Sequence, residues 1–191
     1  MANIIGGTND GWCSAGVGSW DSIRSHAGSN FDSNNTYDIV AVGITYFARR
    51  GTVLIKRAFF EFDTSGVSVV PSDATLKIQG ITNGGGDVIA VRSVQGGTLA
   101  AGDFNSFLPA PVVALGNSDG SGAGTFAGIS NLTYSAEIST WDTSGSYNDI
   151  ALNATALADM VSLTTFKVCL MNYDHDYLDI APSGTHNNGL R

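Results

Sequence analysis

The chain is short of positive charge. Among 191 residues there are 9 Lys and Arg against 17 Asp and Glu, a formal net charge of −8. A nucleic-acid-binding surface needs clustered Lys and Arg to neutralise phosphates, and no basic patch is visible, so DNA and RNA partners are excluded. No apolar run approaches the ~20 residues of a membrane-spanning helix. The N-terminus, MANIIGGTNDGW, lacks a basic stretch followed by an apolar one, so no secretory leader is read there and synthesis in the cytoplasm is expected. Cysteine is scarce. Cys13 and Cys169 are the only two. Cys169 lies inside the apolar run FKVCLM, and both are expected as reduced thiols, Cys169 acting as a small buried hydrophobe. Proline numbers only 4.

Glycine is abundant: 24 residues, about an eighth of the chain against a usual ~7%. Gly, Ser, Thr, Asn and Asp crowd the gaps between short apolar runs. That is the composition of an all-β domain with many turns, and the length fits one domain spanning 1–191.

The apolar runs alternate as strands do. Strands are expected at 37–43, 52–62, 74–81, 87–94, 132–138, 147–152 and 165–172. In 52–62 (TVLIKRAFFEF), Leu54, Ala58, Phe60 and Phe62 form the expected core face, and Val53, Ile55, Arg57, Phe59 and Glu61 a partly covered one. Phe60 and Phe62, with Leu76 and Ile78 of the next strand, are the expected structural core. Asp63-Thr64-Ser65-Gly66 supplies the turn that ends the strand. Asn83-Gly84-Gly85-Gly86 reads as a hairpin connection. One short helix is expected near 154–161, capped by Asn153, with Leu157, Met160 and Val161 on one face. Residues 1–35 hold Trp12, Trp20 and Phe31, large enough to need a core. The Gly- and Ser-rich segment 116–128 reads as a loop.

The chemical motifs are sparse. Asp174-His175-Asp176, with Asp179 and His186 nearby, is the densest group of metal-ligating types. Consecutive strand residues point to opposite faces, so it reads as a solvated acidic loop. Asn9-Asp10-Gly11 and Asp119-Gly120-Ser121 offer oxygens that suit Ca2+, but neither follows the EF-hand spacing and both read as turns. No G-x-S-x-G elbow and no phosphate-binding glycine motif occurs, so no catalytic residue is assigned and the chain reads as non-enzymatic. Trp12, Trp20, Trp141 and Tyr147 are candidates for a sugar-stacking platform, set against the commoner role of such residues as core.

The run Arg57-Ala58-Phe59-Phe60-Glu61-Phe62-Asp63-Thr64-Ser65, followed by Ala74-Thr75-Leu76-Lys77-Ile78, resembles the R-x-F-L-x-F-D-x-S … A-T-L-x-L core of jelly-roll modules. Such modules occur in phage virion proteins and in related surface domains that look like carbohydrate-binding modules. Asp10-Gly11 with Trp20-Asp21-Ser22-Ile23-Arg24 is similar to the opening of small marine-phage structural proteins. The segments 135–141, 147–153 and 166–170 resemble the second half of that family. The resemblance implies an antiparallel β-sandwich of jelly-roll type. It also implies a virion structural role in capsid decoration or in a fibre or tail appendage, assembled in the host cytoplasm. Other virion proteins and further copies of the chain are the implied partners. The alternative is a carbohydrate-binding module or receptor-binding tip that meets a host glycan, with Ca2+ left open as its companion. No other cofactor is implied. Similar chains run on past the equivalent of Gly189-Leu190-Arg191 into one more strand, so an open sheet edge beside 165–172, covered by a neighbouring subunit, is expected here.

Overall fold

The computed structural model describes Ile4, Gly7 and residues 9–33, 40–109 and 131–191. The segment 116–128 and residues 37–39 of the first expected strand lie outside them. The elements run β1 (Gly11–Ala15), α1 (Trp20–Ile23), β2 (Gly28–Asp32), β3 (Val40–Phe47), β4 (Thr52–Asp63), β5 (Thr75–Asn83), β6 (Val88–Arg92), α2 (Asp103–Ser106), β7 (Tyr147–Ala151), α3 (Ala154–Ser162), β8 (Thr165–Asn172), a π-helical turn (Tyr173–Tyr177) and β9 (His186–Leu190). Every strand pairing is antiparallel. The protein is therefore mostly antiparallel β structure with few helices. No helix among the described residues is long and apolar enough to cross a membrane.

Strand β4 organises the rest. On one side it pairs with β1; on the other its first half pairs with β3 and its second half with β8. From β3 the ladder continues through β9 and β5 to β7, and from β8 it continues to β6. Both faces of β4 are covered. Ala58 and Phe60 join Leu76, Ile78, Ile150, Val88, Ala90, Phe166, Val168 and Leu170 in one apolar cluster. Leu76, Ile78 and Ile150 come from β5 and β7, which share no hydrogen bond with β4, β8 or β6 among the described strands, so they pack over that ladder face on. Phe62 is half-buried at the cluster margin, its ring tilted against Phe166 at 6.4 Å.

The opposite face of β4 differs from expectation. Val53, Ile55, Arg57 and Phe59 are fully buried rather than partly covered. Leu99, Phe104, Phe107 and Leu108, together with Trp20, Ile23 and Tyr177, form a second apolar cluster over it. Burying a Val, Ile or Phe side chain is worth about 1.5–3 kcal/mol each, so this face contributes as much to stability as the anticipated core.

Four further expectations change. Residues 83–86 do not close a hairpin. β5 lies between β9 and β7, whereas β6 pairs with β8. The glycine run carries the chain across, held by Gly84 N–H donating to the Asn187 carbonyl at 2.7 Å and turned at Gly85, whose φ is +73°. Residues 132–138 are not a strand. They flank the outer edge of β6 through isolated bridges at Thr133 and Ile138. The ladder breaks between the bridges because Ala90 N–H donates to the Ser135 hydroxyl at 3.0 Å instead of to a carbonyl. Phe31 is 48% exposed, because β2 is a terminal strand of the ladder.

The fourth change concerns the open edge. β8 has β4 on one side and β6 on the other, and β9 lies between β3 and β5. Residues 165–172 therefore have a strand on each side, and no open edge beside them calls for a covering subunit. The helix is as expected in place and cap. Asn153 Oδ1 accepts from Ala156 N–H at 3.1 Å, and Ala156 and Leu157 are its buried residues. Two short helices, α1 and α2, were not anticipated.

Candidate functional site

Two of the four aromatic candidates meet in one place. A shallow open groove of about 400 Å3 is lined by Ile138, Thr140, Trp141, Asp142, Tyr147, Asn148 and Asp149. Tyr147 opens β7 and points outward, alternating with the buried Asn148 and Ile150, and is 61% exposed. Trp141 is almost wholly buried. Its indole N–H donates to the Gly189 carbonyl at 3.4 Å, which fixes the ring as one wall.

Asn148 shapes the loop between them. Its Oδ1 accepts from Asp142 N–H at 2.7 Å, and its Nδ2 donates to the carbonyls of Asp142 at 3.0 Å and Ile78 at 3.3 Å. Gly80 of β5 allows this close approach: a Cβ there would run into the Asp142 carbonyl oxygen and crowd Asn148 and Trp141. Gln79 holds the loop tip by donating to the Gly145 carbonyl at 3.1 Å. Asp142 accepts from Ser144 N–H at 2.6 Å, and Ser144 holds its carboxyl below the usual range. Asp149 is paired with Lys77 at 2.7 Å. The groove thus offers one exposed ring beside a row of polar groups fixed by their own hydrogen bonds.

The other two aromatics serve elsewhere. Trp20 is buried in the second cluster, its ring edge-on to His175 at 6.5 Å. Trp12 is half-buried beneath Lys56, whose Nζ lies 4.2 Å from the ring centroid. Trp20 is closed off by its burial, whereas Trp12 carries Lys56 over one face of its ring. A second groove, of about 470 Å3, is bounded by Val17, Phe47, Ala48, Arg49 and Arg50, with Val17 54% and Phe47 39% exposed.

The acidic segment after β8 is not a solvated loop. The π-helical turn sends its residues in different directions. Asp176 is fully buried and takes a bidentate pair from Arg57, Nε to Oδ2 and Nη2 to Oδ1, both at 2.7 Å. Arg24 donates from Nε to the Asp176 carbonyl at 2.9 Å and pairs through Nη1 with Asp179 at 2.9 Å. Arg57 also donates to the Phe104 carbonyl, and its guanidinium lies 4.0 Å from the Phe104 ring centroid. This network staples the N-terminal segment, β4 and the π turn inside the second cluster.

Asp174 turns the other way and meets Asp87 and Glu137. One carboxylate oxygen of each lies within 4.8 Å of the others, the one such trio of ligand types among the described residues. Glu137 holds its proton above the usual carboxylate range, chiefly through a hydrogen bond to Asp87, then by burial and by the charges of Asp87 and Asp174. These are hard oxygen donors, of the kind Ca2+ takes. His175 and His186 bring their rings to 4.8 Å between centroids, tilted by 47°. Asp10 accepts from Glu61 N–H at 2.8 Å, a bond that ties the N-terminal segment to β4 rather than closing a turn. Asp119 lies outside the described residues.

Sequence reasoning missed the trio because its members are scattered over 87 positions of the chain. The buried network had a signal, Arg57 on the same strand face as Val53, Ile55 and Phe59. Cys13 and Cys169 are free and buried. Burial pushes the Cys13 thiol up to about 12 and raises Cys169 as well. No protein-family model matches the chain, and no curated protein or solved structure matches it either.

Proposed function

We propose that this chain is a non-enzymatic phage virion structural protein on a jelly-roll-type β-sandwich, a fibre, tail or decoration module whose Trp141–Tyr147 groove meets a host-surface glycan. The observation that carries the glycan reading is Tyr147. A tyrosine 61% exposed beside Asp142, Asn148 and Asp149 offers a sugar a stacking face and hydrogen-bonding groups together. The resemblance of residues 57–65, 74–78, 135–141 and 166–170 to phage jelly-roll modules supports the virion part. The packing of β5 and β7 over the β4–β8–β6 ladder supports the sandwich architecture alone.

The groove carboxylates support a binding rather than a hydrolytic role. Glycoside hydrolysis needs one carboxyl that keeps its proton near neutral pH. Asp142 is held below the usual range, so it is not prepared as that acid. Assembly with other virion proteins, or with further copies of the chain, is supported by the exposed apolar side chains of Val17 and Phe47.

The test is a glycan array followed by titration calorimetry on the wild type and Tyr147→Ala. Saturable binding that falls by about tenfold or more in the variant, with an unchanged unfolding midpoint, is the expected result. A wild type that binds no glycan, or a variant that binds as well, overturns the groove. For the virion part, purified particles should contain the chain in many copies; its confinement to host lysate overturns that reading.

A further inference from the structure

We propose that His175 and His186 form a binding site for a borderline transition-metal ion, Zn2+, Cu2+ or Ni2+, separate from the glycan groove. His175 lies in the π turn that follows β8. His186 is the first residue of β9, paired across to Ile44. The two anchors therefore belong to different elements and are set by backbone structure.

The hydrogen bonds choose the tautomer. His175 Nδ1 lies 2.8 Å from the Ile180 carbonyl, and His186 Nδ1 lies 3.3 Å from the Gly85 carbonyl. A carbonyl oxygen only accepts, so each Nδ1 carries the hydrogen and each neutral ring is left with its lone pair on Nε2. Neither Nε2 has a hydrogen-bond partner among the described residues. A metal-ligating imidazole commonly has this arrangement, its far nitrogen donating to a carbonyl that fixes tautomer and ring direction. His175 is further held because Asn172 Oδ1 accepts from its backbone N–H at 2.8 Å.

The ring separation fits one shared ion. A metal–nitrogen bond of about 2.1 Å plus an imidazole radius of about 1.2 Å puts each centroid about 3.3 Å from the metal, so two rings at about 90–110° stand about 4.7–5.4 Å apart. The observed distance is 4.8 Å, with a 47° tilt that is neither stacked nor edge-on. Both rings are partly exposed, so water completes the coordination shell. Imidazole nitrogen selects Zn2+, Cu2+ and Ni2+ over Ca2+ and Mg2+. The net charge of −8 favours any cation. Bound there, the ion would join the π turn to β9 and close the segment 178–185 between them.

The experiment is Cu2+ titration of the untagged chain followed by electron paramagnetic resonance, with Zn2+ titration calorimetry in parallel. One ion per chain and a hyperfine pattern from two nitrogens are expected. His175→Gln and His186→Gln should each leave one nitrogen and weaken Zn2+ binding by about tenfold or more. Circular dichroism on both variants establishes that they fold, and Glu137→Gln, which alters only the nearby carboxylate trio, should keep the two-nitrogen signal. The site is overturned if the wild type shows no saturable binding. A one-nitrogen spectrum in the wild type, or undiminished binding in both folded Gln variants, overturns it equally.

Discussion

Replacing Arg57 by Met would remove a charge from the interior while keeping much of the volume. Arg57 and Asp176 are both 0% exposed, so the carboxylate left behind cannot be rescued by water. Its remaining cation is Arg24, whose Nε stands 3.6 Å from Asp176 Oδ1, too far to replace the two lost bonds. Breaking a buried pair by deleting one partner costs about 3–5 kcal/mol. The Phe104 carbonyl also loses a donor, at about 1–3 kcal/mol for a buried unsatisfied group, which sets the expectation toward the upper end. Against a total stability of about 5–15 kcal/mol this is a large fraction. With a urea slope of about 2 kcal/mol/M, the unfolding midpoint should fall by roughly 2 M. The assay is equilibrium urea unfolding at neutral pH, followed by tryptophan fluorescence and circular dichroism together. The double variant Arg57→Met, Asp176→Leu should recover at least half of the loss, because Arg24 keeps Asp179 and no lone charge stays buried. A single variant within about 1 kcal/mol of wild type, or a double variant no better than the single, would refute the reasoning.

Two further outcomes follow from buried titratable groups. Burial, with the Glu61 charge adding to it and the Glu61 N–H opposing it, raises the Asp10 carboxyl from 3.8 to about 6. The folded state then holds this proton more tightly than the unfolded one, so stability falls as pH rises from about 4 through about 6 and is level beyond. Asp10→Asn should match wild type near pH 4 and exceed it at pH 7 in urea unfolding; a difference that does not change with pH counters this assignment. Cys13 and Cys169, buried and with raised thiol values, should resist iodoacetamide in the native protein and both react once it is unfolded. Rapid native labelling of either, seen by mass spectrometry, contradicts their placement.

Local features of this fold were legible because they depend on neighbours in the chain. The alternation in 52–62 and the apolar run in 165–172 mark β4 and β8, and Asn153 marks the start of α3, each decided within a few residues. Partners were not legible. A run such as Asn83-Gly84-Gly85-Gly86 suits a hairpin and a crossing equally, since glycine accepts either backbone path. Which one forms depends on Asn187, a hundred residues away. Ser135 breaks its strand through a hydroxyl that finds the Ala90 N–H, a contact no periodicity encodes. Within the groove, Trp141 and Tyr147 stood out by residue type, yet nothing in their neighbourhood separated them from Trp12 and Trp20. Exposure was set by Lys56 over one ring and by the second cluster around the other. Asp176 could not be told from Asp174 by residue type, because a strand-like reading of 174–176 hid the π turn that drives one of them inward.

The place of β9 bears on the order of events during folding. It lies between β3 and β5, two strands synthesised more than a hundred residues earlier, and the bond from Arg24 to Asp176 joins groups 152 positions apart. Such distant closures are slow, because the loop entropy is spent before the contact is gained. Until His186–Leu190 arrives, β3 and β5 each lack the neighbour that completes their ladder, and a bare edge pairs readily with another chain. The vulnerable species is therefore the nascent or partly refolded polypeptide, and its aggregation should depend on how quickly the distal segment docks.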